Sequence, residues 1–210
     1  MNIVAVAGTG TDVGKTFVGA ALLRALRARG CDFVPRKPVQ SFAPGDAVTD
    51  ADVLAHAAGL DAADVCRSHR WLPTPMAPPM AAEALGLPPF TVNELAAEST
   101  AGLPDRARVL VETAGGVRSP VAADGDCGDL IRSLAPTLVV LVADAGLGTI
   151  NAVRLSVDAL RHPRIVVHLN RFDAGCDLHG RNLEWLTDRD GLLVTTDIEV
   201  LAEYVEGTCG

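Results

Sequence analysis

Two hydrophobic patterns alternate along the chain. Short runs rich in Val, Ile, Leu and Ala occupy residues 3–7, 32–36, 107–112, 137–143, 164–169 and 192–195. Between them, apolar residues recur every three or four positions over residues 17–29, 49–58, 91–99, 126–134, 149–161, 177–190 and 197–205. The first pattern predicts strands buried on both faces, and the second predicts amphipathic helices. Thr49 is placed to cap the start of its helix, and Gly59 to end it. Residues 71–90 are rich in proline and methionine and read as an irregular connection with one short helix over 80–85. Strands and helices in alternation predict an α/β fold: one domain over residues 1–210, with a mostly parallel central sheet and helices on both faces.

Ligands of such sheets gather at the carboxyl ends of the strands, so the polar residues there are the candidates for chemistry. The first group is Gly8-Thr9-Gly10-Thr11-Asp12-Val13-Gly14-Lys15-Thr16, between the run at 3–7 and the helix at 17–29. Strand, Gly-rich turn, Gly-Lys-Thr and helix is the layout of a phosphate-binding P-loop. Glycines let backbone N–H groups converge on phosphate oxygens, and the helix N-terminus adds its dipole. Lys15 would reach the β- and γ-phosphates and the Thr16 hydroxyl would meet Mg²⁺. The usual spacing, G-x-x-x-x-G-K-[ST], puts a glycine where Thr9 stands; Gly8 lies one position upstream. The same rim gathers Lys37 to Ser41, Glu112 to Ser119, Asp144 to Asn151, and Asn170.

Charge and composition narrow the classes. The formal net charge is −8 and no basic run is visible, which argues against nucleic acid as a partner. No apolar stretch approaches the roughly 18 residues of a membrane span. The N-terminal residues lead into the loop as a strand and lack the basic start of a signal peptide. Five scattered cysteines without a C-x-x-C pair read as reduced thiols, so a cytoplasmic protein is expected. The 18 basic residues include only two lysines, Lys15 and Lys37. A compact ammonium is not replaced sterically by a guanidinium, so both positions stand out. Glu112 ends an apolar run, where an acid needs a partner. With Thr16 and either Asp50 or Asp52, it supplies the oxygen ligands that suit Mg²⁺.

Four segments in order, Gly8 to Thr16, Lys37-Pro38-Val39-Gln40-Ser41, Val111-Glu112-Thr113-Ala114-Gly115-Gly116 and Leu147-Gly148-Thr149-Ile150-Asn151, resemble the dethiobiotin synthetase family of P-loop NTPases. They span residues 1 to about 170. The resemblance implies an ATP-dependent ligase that closes a cyclic urea on 7,8-diaminopelargonic acid with CO₂, through a carbamate and a carbamic–phosphoric anhydride. It implies catalytic roles for Lys37, Lys15 and Thr11. Gly10, Thr11, Asp12, Val13, Gly14, Lys15, Thr16, Phe17, Glu112 and Asn170 would bind ATP, Asn170 at the adenine edge. Lys37, Ser41, Gly115, Gly116 and Val117 would bind substrate, together with Gly148, Thr149, Ile150 and Asn151 of a second subunit in a homodimer. Thr16, Asp50 and Glu112 would hold Mg²⁺.

The chain departs from that pattern in several places. Thr113 and Phe42 stand where the family has glycine. A Cβ and hydroxyl at Thr113 are expected to crowd or rewire the phosphate side, and Phe42 either narrows the amine pocket or packs outward. Ala152 replaces a common histidine, Met80 lies near a common S-P-H, and Arg118 adds a cation beside the substrate-side glycines. The alternatives are a relative with the same chemistry on another amine, a partition- or Min-type ATPase switch, and a non-catalytic binding module. Against the switch, residues 7–10 carry no extra lysine, and the acidic stretch 197–206 is no basic membrane-docking helix.

Overall fold

The computed structural model describes residues 1–209. In chain order its elements are β1 (Asn2–Gly8), α1 (Lys15–Ala28), β2 (Val34–Arg36), β3 (Gln40–Ser41), α2 (Asp50–Ala58), α3 (Ala62–Val65), β4 (Trp71–Leu72), α4 (Pro78–Ala84), α5 (Val92–Thr100) and β5 (Arg108–Glu112). There follow β6 (Pro120–Ala122), β7 (Gly125–Asp126), α6 (Cys127–Leu134), β8 (Leu138–Asp144), α7 (Thr149–Leu160), β9 (Ile165–Asn170), α8 (Asp177–Glu184), β10 (Val194–Thr195) and α9 (Ile198–Cys209).

Six strands form one parallel sheet in the order β10-β9-β8-β1-β5-β2. β1 lies in its middle and the loop that follows it opens onto the central crevice, where chain direction across the sheet changes. The period-2 geometry of a strand divides the apolar runs between two cores. Val4 and Val6 of β1 join Leu138, Val140 and Val142 of β8 on the face covered by α1, α2 and α9. Ala5 and Ala7, with Val139, Leu141 and Ala143, face the other side, where Ile131 of α6 and Val153 and Leu160 of α7 cover them. Burial on both faces is why these strands read as continuous apolar runs instead of alternating ones.

The predicted elements recur with shifted ends. α2 starts as expected: Thr49 Oγ1 accepts from Asp52 N, and the Asp52 carboxylate accepts from Thr49 N at 2.8 Å, a capping box. α1 begins at Lys15, earlier than the apolar spacing indicates, because Val18 N donates to Gly14 O at 2.9 Å and closes its first turn within the loop motif. α4 begins at Pro78, since the prolines sit in its first turn, where no helical N–H is needed. The helix expected over 177–190 ends at Glu184 and continues as a π-turn, Trp185–Arg189. The connections also hold structure that periodicity does not reveal: α3, the β3–β4 pair and the β6–β7 hairpin, all too short for a periodic signal. No helix among the described residues is long and apolar enough to cross a membrane.

One buried titratable group outside the crevice sets a pH dependence of stability. His168 of β9 is 3% exposed, and its Nδ1 lies 3.0 Å from Thr195 Oγ1. Burial lowers its pKa from 6.5 to about 4, with Asp197 opposing. The imidazole is neutral in both states above pH 6.5. Between 6.5 and about 4 the unfolded chain binds a proton that the folded chain refuses, so stability falls. The loss amounts to about 3 kcal/mol at ~1.4 kcal/mol per unit. Urea titrations across this range should show a shallower acid slope for His168→Gln than for the unmodified chain.

Candidate active site

The crevice is built at four strand ends. Gly14 adopts φ +93° and turns the chain from the loop into α1. A Cβ there would stand 2.0 Å from Asn170 Nδ2, so both backbone angle and space demand glycine. Gly116 is pressed under the loop: a Cβ would meet Gly10 Cα at 3.2 Å and Thr9 O at 3.3 Å. Lys15 lies in the first turn of α1, buried, with Nζ donating to Gly10 O at 2.9 Å. Burial and the nearby Lys37 ammonium push its pKa below the ordinary lysine value.

Beneath the loop, three elements deliver a charged cluster. Lys37 follows β2, Glu112 ends β5 and Asp50 opens α2. Lys37 is 2% exposed and Glu112 is fully buried. Lys37 Nζ lies 2.5 Å from Glu112 Oε1 and 2.7 Å from Asp50 Oδ2. Its backbone N–H donates to Val65 O at 2.8 Å, which fixes the strand end. Burial alone would lower the Lys37 pKa, but Glu112 and Asp50 outweigh it and hold the ammonium charged. Burial likewise acts upward on Asp50, and Lys37 reverses the direction, leaving the carboxyl below its ordinary range. Glu112 remains above its ordinary value because burial exceeds the pull of Lys37.

Thr16 Oγ1 lies 2.8 Å from both Asp50 Oδ1 and Glu112 Oε1. A hydroxyl has one hydrogen and cannot donate to both. Glu112 Oε2 is buried with no hydrogen-bond partner. A hydroxyl and two carboxylates with unmet acceptor capacity are hard oxygen donors, and they fit Mg²⁺.

A cleft of ≈ 820 Å³ opens over this cluster. It brings together Thr11, Asp12, Gly14, Lys15 and Thr16 of the loop with Lys37, Ser41, Asp50 and Gly115. Other expected residues stand elsewhere. Glu112 is fully buried behind Lys37 and Thr16 and does not itself line the cleft. Asn170 is 7% exposed and its Nδ2 donates to Val13 O at 3.0 Å. Phe17 is exposed on α1, and the Val117 side chain is buried in the core under the sheet. Gly148, Thr149, Ile150 and Asn151 lie at the start of α7, outside the cleft. Asp52, the alternative metal ligand, is engaged in the α2 capping box, which leaves Asp50 as the carboxylate at the cluster.

The departures also find places. The expectation that Thr113 crowds the phosphate side is not met: its side chain is fully buried, with Oγ1 3.4 Å from Val6 O on the neighbouring strand. Phe42 lines the cleft and sets its ring edge-on to Trp71, centroids 6.4 Å apart. Arg118 is paired with Asp126 at 2.6 Å and stays outside, as does the exposed Met80. Several lining residues have no role assigned from sequence, Asp46, Val48 and Pro75 among them. Gln40 lines the cleft, with Oε1 accepting from Ala51 N at 3.0 Å and a buried, unpartnered Nε2. It occupies the unspecified position of K-P-V-x-[ST], so the motif carries no signal for it. Met76 and Ala77 enter from the proline-rich connection. Arg171 enters from the rim beside Asn170, at the strand end where polar residues were already the candidates.

Comparison with known proteins places the site in context. The model of a family described as AAA domain matches residues 2–203. The chain is 43% identical over 162 residues to the ATP-dependent dethiobiotin synthetase BioD of Corynebacterium efficiens, covering 77% of this chain and 70% of that protein. It is 36% identical over 213 residues to the protein of the same name from Haloferax mediterranei, covering 98% and 89%. Among solved structures, the ParA family ATPase of Chlorobium tepidum superposes with a TM-score of 0.56 at 13% identity, covering 99% of this chain and 88% of that one. The signal recognition particle receptor FtsY of Elizabethkingia anophelis gives 0.57 at 13% identity, covering 100% and 65%. At such identities the structural likeness speaks for the fold alone.

Removing Lys37 tests the charged cluster. Lys37→Met leaves Glu112 buried without its counter-charge and should cost about 3–5 kcal/mol near neutral pH, seen as a lower urea midpoint. The deficit should shrink toward acid pH, because Glu112, already shifted upward by burial, then takes a proton.

Proposed function

The chain belongs to the ATP-dependent dethiobiotin synthetase family, and from that premise we propose how its cleft makes dethiobiotin from 7,8-diaminopelargonic acid, CO₂ and ATP. One observation carries the assignment of the site: both lysines of the chain line a single cleft, one at the phosphate loop and one paired with the fully buried Glu112 carboxylate. One amine of the substrate adds to CO₂ and forms a carbamate. A carbamate oxygen attacks the γ-phosphorus of ATP, and the bond to ADP breaks. The second amine then attacks the carbonyl of the mixed anhydride, phosphate leaves with the bridging oxygen, and the cyclic urea closes.

The side chains match the charge that develops. Negative charge spreads over the transferring phosphoryl oxygens, so positioned cations and N–H donors lower the barrier. Lys15 exchanges the neutral Gly10 carbonyl for the γ-phosphate. Lys37, held charged by Glu112 and Asp50, presents its ammonium where carbamate and phosphoryl oxygens meet, with Thr11 and Ser41 as hydroxyl partners. The unpartnered, buried Ser41 Oγ supports that role. Holding both amines against one anhydride makes ring closure effectively intramolecular. Phe42 forms one wall of the cleft and limits the space beside the reacting amines.

Mg²⁺ would be held by Thr16, Asp50 and Glu112, and when bound it would neutralise β- and γ-phosphate oxygens. The Nδ2 of Asn170 is committed to Val13 O, which leaves Oδ1 to accept from the amino group of adenine. A homodimer would complete the substrate site. Leu147 is 92% exposed and Leu155 63%, both on or beside α7. The Thr149 hydroxyl is buried and unpartnered in the first turn of that helix. A partner copy would cover the leucines, and the α7 N-terminus would take the substrate carboxylate.

Two measurements check this reading. Phosphate release with Mg-ATP and bicarbonate should depend on the diamine, and the product should exceed it in mass by one carbonyl less two hydrogens. Release that ignores the diamine would contradict the assignment. Light scattering should give twice the chain mass, and Leu147→Asp should shift it toward one chain and raise the diamine KM.

A further inference from the structure

The rim of the cleft carries a guanidinium that the reaction scheme does not use. Arg171 directly follows β9 and has φ +57°, an unusual conformation for a residue with a Cβ. Its Nη2 donates to Asp12 O and its Nη1 to Asp144 Oδ2, both at 2.9 Å. Asp144 is itself fixed, since its Oδ1 accepts from Gly146 N at 2.9 Å. The backbone N–H of Gly146 and the guanidinium together hold the Asp144 carboxyl below its ordinary range. Next to this grip is a second one, Asn170 Nδ2 on Val13 O at 3.0 Å. Two successive residues of the β9 end therefore hold two successive carbonyls of the phosphate loop.

A trans peptide plane points its C=O and its N–H in opposite directions. Drawing the carbonyls of Asp12 and Val13 toward β9 therefore turns the N–H groups of Val13 and Gly14 away from β9. Among the described residues, neither amide donates to another protein group. Asp12 itself has φ +59°, so the loop is held in a conformation that side-chain-bearing residues seldom adopt unaided. An anion nest requires amides fixed in this way before the phosphate arrives.

We propose that Arg171 is a positioning residue for nucleotide binding: anchored by Asp144, it sets the loop amides and links the loop to the 144–148 segment before α7. The inference rests on the ATP-dependent reading above, and adds to it a residue that acts through the loop backbone instead of touching the reacting atoms.

The test is titration calorimetry with the β,γ-imido analogue of ATP in Mg²⁺ buffer. Arg171→Met should weaken binding about tenfold, the size of one lost charge-assisted hydrogen bond. Arg171→Lys keeps a donor for Asp12 O and should recover part of the loss. Asp144→Ala removes the anchor of the guanidinium and should also weaken binding. In turnover, Arg171→Met should raise KM for ATP while leaving KM for the diamine unchanged, a split that general destabilisation would not give. Unchanged analogue affinity in Arg171→Met would overturn the proposal alone. So would unchanged or tighter binding in Asp144→Ala, which would mean that Arg171 meets the nucleotide directly. Failure of the unmodified chain to bind the analogue would overturn both this proposal and the reading it rests on.

Discussion

A buried ammonium held between two carboxylates constrains the whole crevice. Lys37, Glu112 and Asp50 come from the end of β2, the end of β5 and the start of α2, and the first two, both buried, are costly to bury alone. Together they tie the edge of the sheet to its centre, and they tie α2 to both. Thr16 extends the cluster into the first turn of α1, so the phosphate loop rests on the same group of charges. The geometry that stabilises the cluster also bears on the proposed chemistry: a lysine held charged and almost fully buried would act on phosphoryl and carbamate oxygens more strongly than one in solvent. The carboxylates that keep it charged have the oxygen donors that Mg²⁺ needs.

Most of the fold could be read from the chain because burial on both sheet faces removes polar residues from whole segments. The strands at 107–112, 137–143 and 164–169 stand out for that reason, and the helices between them carry the residues that cover each face. Caps were equally legible, as with Thr49, because they depend on local chemistry. Short elements such as α3 and the β6–β7 hairpin are set by tertiary contacts and leave no period to detect. The position of α4 was displaced by prolines that start a helix as readily as they end one.

The site was legible where chemistry restricts residue type. Lys15 and Thr16 belong to the phosphate-loop motif, and Lys37 and Glu112 are unusual at strand ends, so all four are legible in the sequence. Side-chain direction was not available: Thr113 looked like an obstruction, yet its hydroxyl turns to the β1 backbone. Gln40 stands in the rim segment but at a position the motif leaves open, so its role is not legible, and an exposed arginine in a loop such as Arg171 carries no signal until its partners are known. Val117 shows the converse. The family resemblance implies substrate contact for it, beside the glycine pair, whereas its side chain is buried in the core.

The central claim is that the cleft directs a carbamate oxygen, and not water, onto the γ-phosphorus of ATP. Bicarbonate labelled with ¹⁸O tests this most directly, with phosphate analysed by mass spectrometry during the first turnovers, before exchange with water. One labelled oxygen in the released phosphate is the predicted result, since the bridging oxygen of the anhydride comes from the carbamate. Phosphate without label, formed alongside cyclic product, would contradict the account.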